Sequence, residues 1–378
     1  MPGSFSFFPQ INDGCMNHIY INSRFLSQNL TGVQRYAIEV VKALDHLIDC
    51  GVISAEKYSF HLLCPNIPLY DLALKHIPLM CVGKLTGHLW EQLELPFFSK
   101  NGLLLNLCNT GPLFKRRQIV TIHDASIYGF PTAYSWKFQL WYRFLYFGLA
   151  RNSLAINTVS YFSREELSKY SVADASKINV IHEGKEHFDS VVSDNSIIAK
   201  YGLHQRLFVL AVSSLNPNKN FHSVVGALEL VTESKFDLVI AGGTNSKIFS
   251  KSSFPLADRT INVGYVTDQE LKALYEHSAC FIYPSFYEGF GLPPLEAMSC
   301  GCPVIVSNAA SMPEVCGDAV LYCDPYSPED IAAKIRTVLA DADLREKLRL
   351  KGLQRASLFS WVKCGREVMS VIEKVLSK

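Results

Sequence analysis

The chain has 378 residues, 48% apolar and 19% charged, with 36 Lys and Arg against 35 Asp and Glu for a net charge of +1. That length favours two domains, and that apolar content excludes a disordered chain. A charge this close to zero provides no global basic field, so nucleic acid is not expected as a partner.

Residues 1–16 read as a loop-like N-terminal extension. A strand is expected over His18–Asn22, then a loop closing on Thr31-Gly32, then a helix over Val33–Ile48. In that helix Val33, Tyr36, Ala37, Val40, Val41 and Leu44 share a face. Strand, glycine loop and helix open a βα unit. Further strands are expected at Tyr58–Cys64, Gly102–Cys108, Gln118–His123, Leu154–Val159 and Lys177–Ile181. Helices are expected near Ser135–Arg151 and Ser163–Tyr170. A second series follows, with strands at Leu207–Ser213, Phe236–Ala241, Thr260–Val263, Ala279–Tyr283 and Pro303–Ser307. Its helices are expected at Asn220–Val231, Thr267–Glu276, Pro294–Ser299, Pro328–Ala340 and Asp343–Ser357. Thr267 and Glu270 have the spacing of a capping box.

Strands alternating with helices in both halves predict an α/β protein of two Rossmann-like, doubly wound parallel sheets facing a cleft. The expected division is an extension over 1–16, a first domain over 17–190 and a second over 191–360. A helix over 361–378 is expected to cross back to the first domain. Ligands of such sheets sit beyond the carboxyl ends of the strands, where Gly32, Asn109, His123, Lys219, Gly243 and Glu288 are expected. Eleven cysteines are scattered singly, Cys300-Gly-Cys302 apart, which reads as reduced thiols of a cytoplasmic protein. No apolar run approaches the ~20 residues of a membrane helix, and no charged, apolar leader marks a signal peptide.

The chemistry concentrates in residues 281–303, FIYPSFYEGFGLPPLEAMSCGCP. A loop carrying Glu288 and then Gly289-Phe290-Gly291-Leu292 leads from a strand into a helix opened by Pro293-Pro294, with Glu296 expected in its first turn. Loop amides and a helix N-terminus make an anion site without side-chain charge. Two carboxylates beside such a site suit sugar and ribose hydroxyls.

Glu288, seven intervening residues and Glu296 match the E-x7-E signature of retaining GT-B glycosyltransferases. The run YPSFYEGFGLPPLEAMSCGCPVIVSN, with SMPEVCG, GYVTDQEL, VTIHD and TVSYFSREEL elsewhere, resembles the GT4 family. Thr31–Tyr36 and Trp90-Glu91-Gln92 resemble segments of bacterial O-antigen and exopolysaccharide mannosyltransferases. This resemblance implies transfer of a hexose, mannose from GDP-mannose as the best reading, to a saccharide acceptor that is lipid-linked in surface polysaccharide synthesis. It implies a cytoplasmic setting, with peripheral contact at the inner face of the membrane.

By position, the resemblance implies that Glu296 holds the ribose hydroxyls and Glu288 the donor sugar. Amides of Gly289, Phe290, Gly291 and Leu292 would hold sugar and diphosphate, and Lys219 would neutralise the diphosphate. Gly32 would let backbone approach the phosphate, His123 would line the reaction centre, and Gly243, Tyr265 and Val266 would lie near the nucleotide. Arg35, Asn109 and Asp124 fall on the acceptor side. Many relatives place arginine five residues before the lysine, or directly before it; here Ser214 and Asn218 stand there. No cofactor or metal is implied, and Asp341-Ala-Asp343 reads as surface. Two other readings share the motif: a GT-B nucleotide-sugar 2-epimerase and a non-catalytic sugar-nucleotide binding protein. The aromatic run from Trp136 to Phe147 reads as a core helix, or else as a face that docks on a membrane or lipid-linked acceptor with Lys115-Arg116-Arg117.

Overall fold

The computed structural model describes residues 16–213, 216–231, 236–243 and 260–378. Ser214 and residues 1–15 lie outside these. The first sheet contains β1 (Asn17–Asn22), β2 (Tyr58–Cys64), β3 (Leu79–Cys81), β4 (Leu103–Asn106), β5 (Gln118–Thr121), β6 (Ala155–Thr158) and β7 (Ile178–Val180). All pairings are parallel, in the order β3-β2-β1-β4-β5-β6-β7. The second contains β8 (Phe208–Ser213), β9 (Asp237–Gly242), β10 (Thr260–Gly264), β11 (Cys280–Tyr283), β12 (Val304–Ser307) and β13 (Leu321–Cys323). It is again parallel, ordered β10-β9-β8-β11-β12-β13. The central strands β4, β5, β11 and β12 are buried at every position. Helices cover both faces of such sheets, so their strands read as continuous apolar runs rather than as alternation.

The longer helices are α1 (Gly32–Asp49), α2 (Trp136–Asn152), α3 (Tyr161–Lys169), α4 (Phe221–Leu230), α5 (Asp268–His277), α6 (Leu292–Ser299), α7 (Pro328–Ala340), α8 (Ala342–Ala356) and α9 (Trp361–Leu376). The capping box of α5 is present, Thr267 and Glu270 each satisfying the other's backbone N–H. The last helix, α9, returns to the first sheet's helical layer. There Gly365 packs against Ala43 and Leu47 of α1, and the Trp361 ring meets Tyr36.

Three features depart from the sequence pattern. The three-residue strands β3 and β13 were too short for a periodic signal. A helical stretch over 87–98 has a π-helical middle at Trp90–Glu94, which breaks the 3.6-residue period. And α6 starts at Leu292, because Gly291 adopts φ +112° and caps it from the left-handed region. Glu296 therefore lies in the second turn, not the first.

Candidate functional site

Strand order reverses between β1 and β4 in the first sheet and between β8 and β11 in the second. Chains leaving adjacent strands in opposite directions open a crevice at these points. Asn109 follows β4, His123 and Asp124 follow β5, Lys219 follows β8, and Glu288 follows β11.

Glu288 is the centre of one cluster. Its Oε1 accepts from Lys219 Nζ at 2.7 Å, from Ser285 Oγ at 2.7 Å and from the Tyr283 hydroxyl at 3.0 Å. Lys219 also donates to Tyr283. Burial alone would lower the Lys219 pKa, but the Glu288 carboxylate and Tyr283 outweigh it and hold the ammonium above its ordinary range. Burial, reinforced by Glu288, pushes the Tyr283 phenol up, so it remains a donor. An ammonium has three donors, two of them engaged here. Sequence reasoning missed Tyr283 and Ser285, although Ser285 lies three residues before Glu288 and Tyr283 ends β11.

Glu296 is held differently. The Trp361 Nε1–H donates to His187 Nδ1 at 3.0 Å, so that nitrogen carries the lone pair and Nε2 carries the proton. His187 Nε2 donates it to Glu296 Oε1 at 2.9 Å. Both residues are buried, at 8% exposure each. The relay runs from the first turn of α9 through the inter-sheet connection to α6. His187 and Trp361 lie 109 and 65 residues from Glu296 along the chain, so no local pattern announces them.

Between the two clusters lies the start of α6. No side chain caps it; Pro293 and Pro294 carry no N–H, so the anion-binding surface here is the Leu292 N–H together with the loop amides that precede it. Gly291 has two reasons to be glycine: its positive φ, and Met312 lying where a Cβ would stand. Gly289 has a different one, since a Cβ there would meet the His123 carbonyl oxygen at 2.9 Å and Asp124 Cβ at 3.0 Å. The loop from the second sheet thus lies on the loop from the first. Ser160 Oγ and Ser163 Oγ donate to the Gly289 carbonyl at 2.6 and 3.1 Å, and Ser311 Oγ donates to the Phe290 carbonyl at 2.7 Å. Glu314 latches the halves again, accepting the backbone N–H groups of Tyr161 and Phe162 at 2.8 and 3.0 Å and His182 Nε2 at 2.7 Å. Burial opposes its charge, yet His182 and the two amides hold its carboxyl below the usual 4.5.

The remaining residues separate into those at the crevice and those engaged elsewhere. His123 is 5% exposed; its Nε2–H donates to the Leu107 carbonyl at 2.9 Å, and its Nδ1 faces Glu183 at 3.7 Å. Burial raises the Glu183 carboxyl. Asn109 has φ +63° and its side-chain oxygen accepts the His123 N–H at 2.7 Å, while Asp124 accepts the Ser126 N–H. Asn218 braces the Glu288 loop, donating to the Tyr287 carbonyl at 3.0 Å. Arg35 grips Asp268 through both carboxylate oxygens at 2.7 and 2.8 Å, so it is not a free cation. The space beside Gly32 is open. Gly243 follows β9, Tyr265 is 87% exposed after β10, and Val266 packs against the core.

Residues 193–355 match the family described as glycosyl transferases group 1. Over 270 residues the chain is 34% identical to O-antigen chain mannosyltransferase B of Escherichia coli, covering 67% of this chain and 69% of that protein. The chain belongs to the group 1 glycosyltransferases. A second relative, O-antigen chain mannosyltransferase RfbU of Salmonella typhimurium, is 27% identical over 332 residues, 84% of this chain and 90% of that one. The fold of this glycosyltransferase matches that of Anabaena HepE, solved with UDP and glucose, at a TM-score of 0.75 and 16% identity over 95% of this chain and 100% of that one. The architecture is GT-B. Among the described residues, no helix is long and apolar enough to cross a membrane.

Proposed function

We propose that this glycosyltransferase moves a hexose, mannose from GDP-mannose, to a saccharide acceptor with retention of anomeric configuration. The observation that carries the reading is the Lys219–Glu288 pair beside the uncapped start of α6. One charged ammonium and a row of amides converge where a diphosphate would lie, and two carboxylates flank them. The names of the mannosyltransferase relatives support the choice of sugar.

In this reading Glu296, set by His187, takes the ribose hydroxyls. Glu288 takes hydroxyls of the sugar, with the amides of Gly289, Phe290, Gly291 and Leu292 beside it. Gly32 faces the phosphates from the first domain. The acceptor oxygen bonds to the anomeric carbon as the bond from that carbon to phosphate oxygen breaks on the same face. The acceptor's proton passes to the departing diphosphate, so no carboxylate nucleophile is needed. Charge growing on the diphosphate is met by Lys219, the loop amides and the Leu292 N–H at the start of α6, groups already in place before reaction. No metal is required for that step. The acceptor is a lipid-linked oligosaccharide of surface polysaccharide synthesis, and the setting is cytoplasmic. The described cysteines are all free thiols, which suits a reducing compartment.

The test is incubation with GDP-, UDP- and ADP-sugars and a saccharide acceptor, with product configuration read by NMR. An α-mannoside formed from GDP-mannose, undiminished in EDTA, is the expected result. Sugar-nucleotide epimerisation without acceptor, or an inverted product, would overturn it.

A further inference from the structure

The outward side of α2 is apolar. Leu140, Phe144 and Phe147 are 64%, 58% and 46% exposed, and Trp136 at the helix start is 68% exposed. Leu145, Tyr146 and Leu149 fill the inner side. A surface helix ordinarily turns polar residues to water, so this helix is apolar on both.

Two neighbouring elements extend the face. In the helical stretch over 87–98, Leu89, Leu93 and Phe97 recur every fourth residue at 63–65% exposure, and Phe114 on the next loop is 90% exposed. Hydrogen bonds join the three elements. Gln92 exchanges bonds with the Gly111 carbonyl and the Leu113 N–H at 2.8 and 3.0 Å, and Asn152 at the end of α2 donates to the Leu113 carbonyl at 2.8 Å. The His88 ring lies 6.0 Å from that of Trp141.

The charge on this region has one sign. Residues 84–152 contain eight Lys or Arg and three Asp or Glu, whereas the whole chain is almost neutral. Of the three acids, Glu91 is fully buried, Glu94 accepts the Lys84 and Leu85 N–H groups, and Asp124 belongs to the crevice. Arg116, Arg117, Lys100, Lys137 and Arg151 are exposed. Three of these bases lie over exposed rings: Arg151 over Phe147 at 4.2 Å, Lys100 over Phe97 at 5.2 Å and Lys137 over Trp136 at 5.7 Å. Apolar rings each carrying a cation suit the boundary between acyl chains and anionic headgroups. A second copy of the chain suits it poorly, because a two-fold contact would set one basic face against another.

We propose that this face, formed by α2, the 87–98 stretch and the Phe114 loop, docks on an anionic lipid bilayer. The face adjoins the crevice. Tyr134, Phe138 and Tyr142 stack in series at 5.2 and 4.1 Å, and Phe130 stacks on Phe286 of the Glu288 loop at 5.8 Å. Docking there brings the crevice close to the bilayer surface. This deepens the reading of a lipid-linked acceptor and rests on it only for its purpose, since binding to lipid requires neither donor nor acceptor.

The experiment is co-sedimentation of the full chain with vesicles of phosphatidylcholine alone or mixed with phosphatidylglycerol. The parent is expected to pellet with the mixed vesicles and to be released by salt. Two variants, one carrying Leu140→Ser, Phe144→Ser and Phe147→Ser and the other Arg116→Glu and Arg117→Glu, are expected to partition about tenfold less. Both should keep the parental melting temperature and transfer rate to a water-soluble acceptor. Absence of the parent from the mixed-vesicle pellet overturns the proposal, as does parental binding by both variants. So does a parent dimer that the aromatic variant splits without any change in lipid binding. Loss of transfer with vesicle binding intact would instead count against the proposed function.

Discussion

The two glutamates of the motif occupy contrasting surroundings. Glu288 is held inside its own domain by a cation and two hydroxyls, Lys219, Tyr283 and Ser285. Glu296 is held from outside its domain by a neutral imidazole, which a tryptophan of the final helix keeps in one tautomer. The contrast separates charge from position. Around Glu288 the protein concentrates hydrogen-bond donors and positive charge; around Glu296 it supplies direction without net charge. In the proposed function the two glutamates therefore carry different tasks, and substitutions can test the division.

The largest effect is expected at Lys219. Lys219→Ala removes the one cation that the described residues bring to Glu288 and leaves a carboxylate facing the diphosphate. Transfer should fall by about 10²–10³ or more, the scale of losing a preorganised transition-state contact. A near-parental rate in steady-state assays would falsify the assignment. Next come the carboxylates. Glu296→Ala should weaken free-nucleotide binding by about tenfold or more, as expected when a hydrogen bond to a charged group is lost. Glu288→Ala should bind nucleotide like the parent but transfer slowly. Calorimetric titration with the free nucleotide separates them, and equal losses in both would erase the contrast.

A smaller effect sharpens it. Trp361→Phe keeps a ring against Tyr36 but removes the N–H that fixes His187. The nucleotide dissociation constant should rise several-fold, the usual worth of one neutral hydrogen bond, while the rate at saturating donor stays near parental. An unchanged constant would show that Glu296 needs no relay.

The smallest concerns the latch between the halves. Glu314→Ala leaves the Ser160 cap of α3 in place but removes the acceptor of its first two N–H groups, and should cost about 1 kcal/mol at neutral pH. Because the folded carboxyl lies below its usual 4.5, the contribution is present above that value and disappears as pH falls through the lowered one. Melting curves of parent and variant should therefore converge in acid. A gap that persisted there would place the effect in packing rather than charge.

How much of this was legible in the sequence follows from the range of each interaction. Apolar strands alternating with helices are local patterns, and they were enough to indicate two parallel sheets. Glu288, Glu296 and Lys219 were visible as residue types at informative positions. Their settings were not: Lys219 meets Glu288 across 69 residues, and Trp361 meets His187 across 174. Arg35 was expected on the acceptor side, but Asp268, 233 residues on, holds it. The aromatic run in α2 was ambiguous for another reason. Lys137, Gln139 and Arg143 are its only charged or amide side chains between Trp136 and Phe147, and apolar residues fall on every side, so no periodicity tells the inner face from the outer.

The return of α9 to α1 has a consequence for how the protein is made. The ribosome releases the first sheet's strands early, but the helix that covers Ala43 and Leu47 emerges only after the second sheet. At about 5–20 residues per second the whole second sheet must be synthesised in between, a delay of roughly ten to thirty seconds. During that interval the first half displays an uncovered apolar seam beside α1. Newborn molecules should thus depend on chaperones until α9 has been made, and a stop codon placed just before Trp361 should yield aggregated protein rather than an active core.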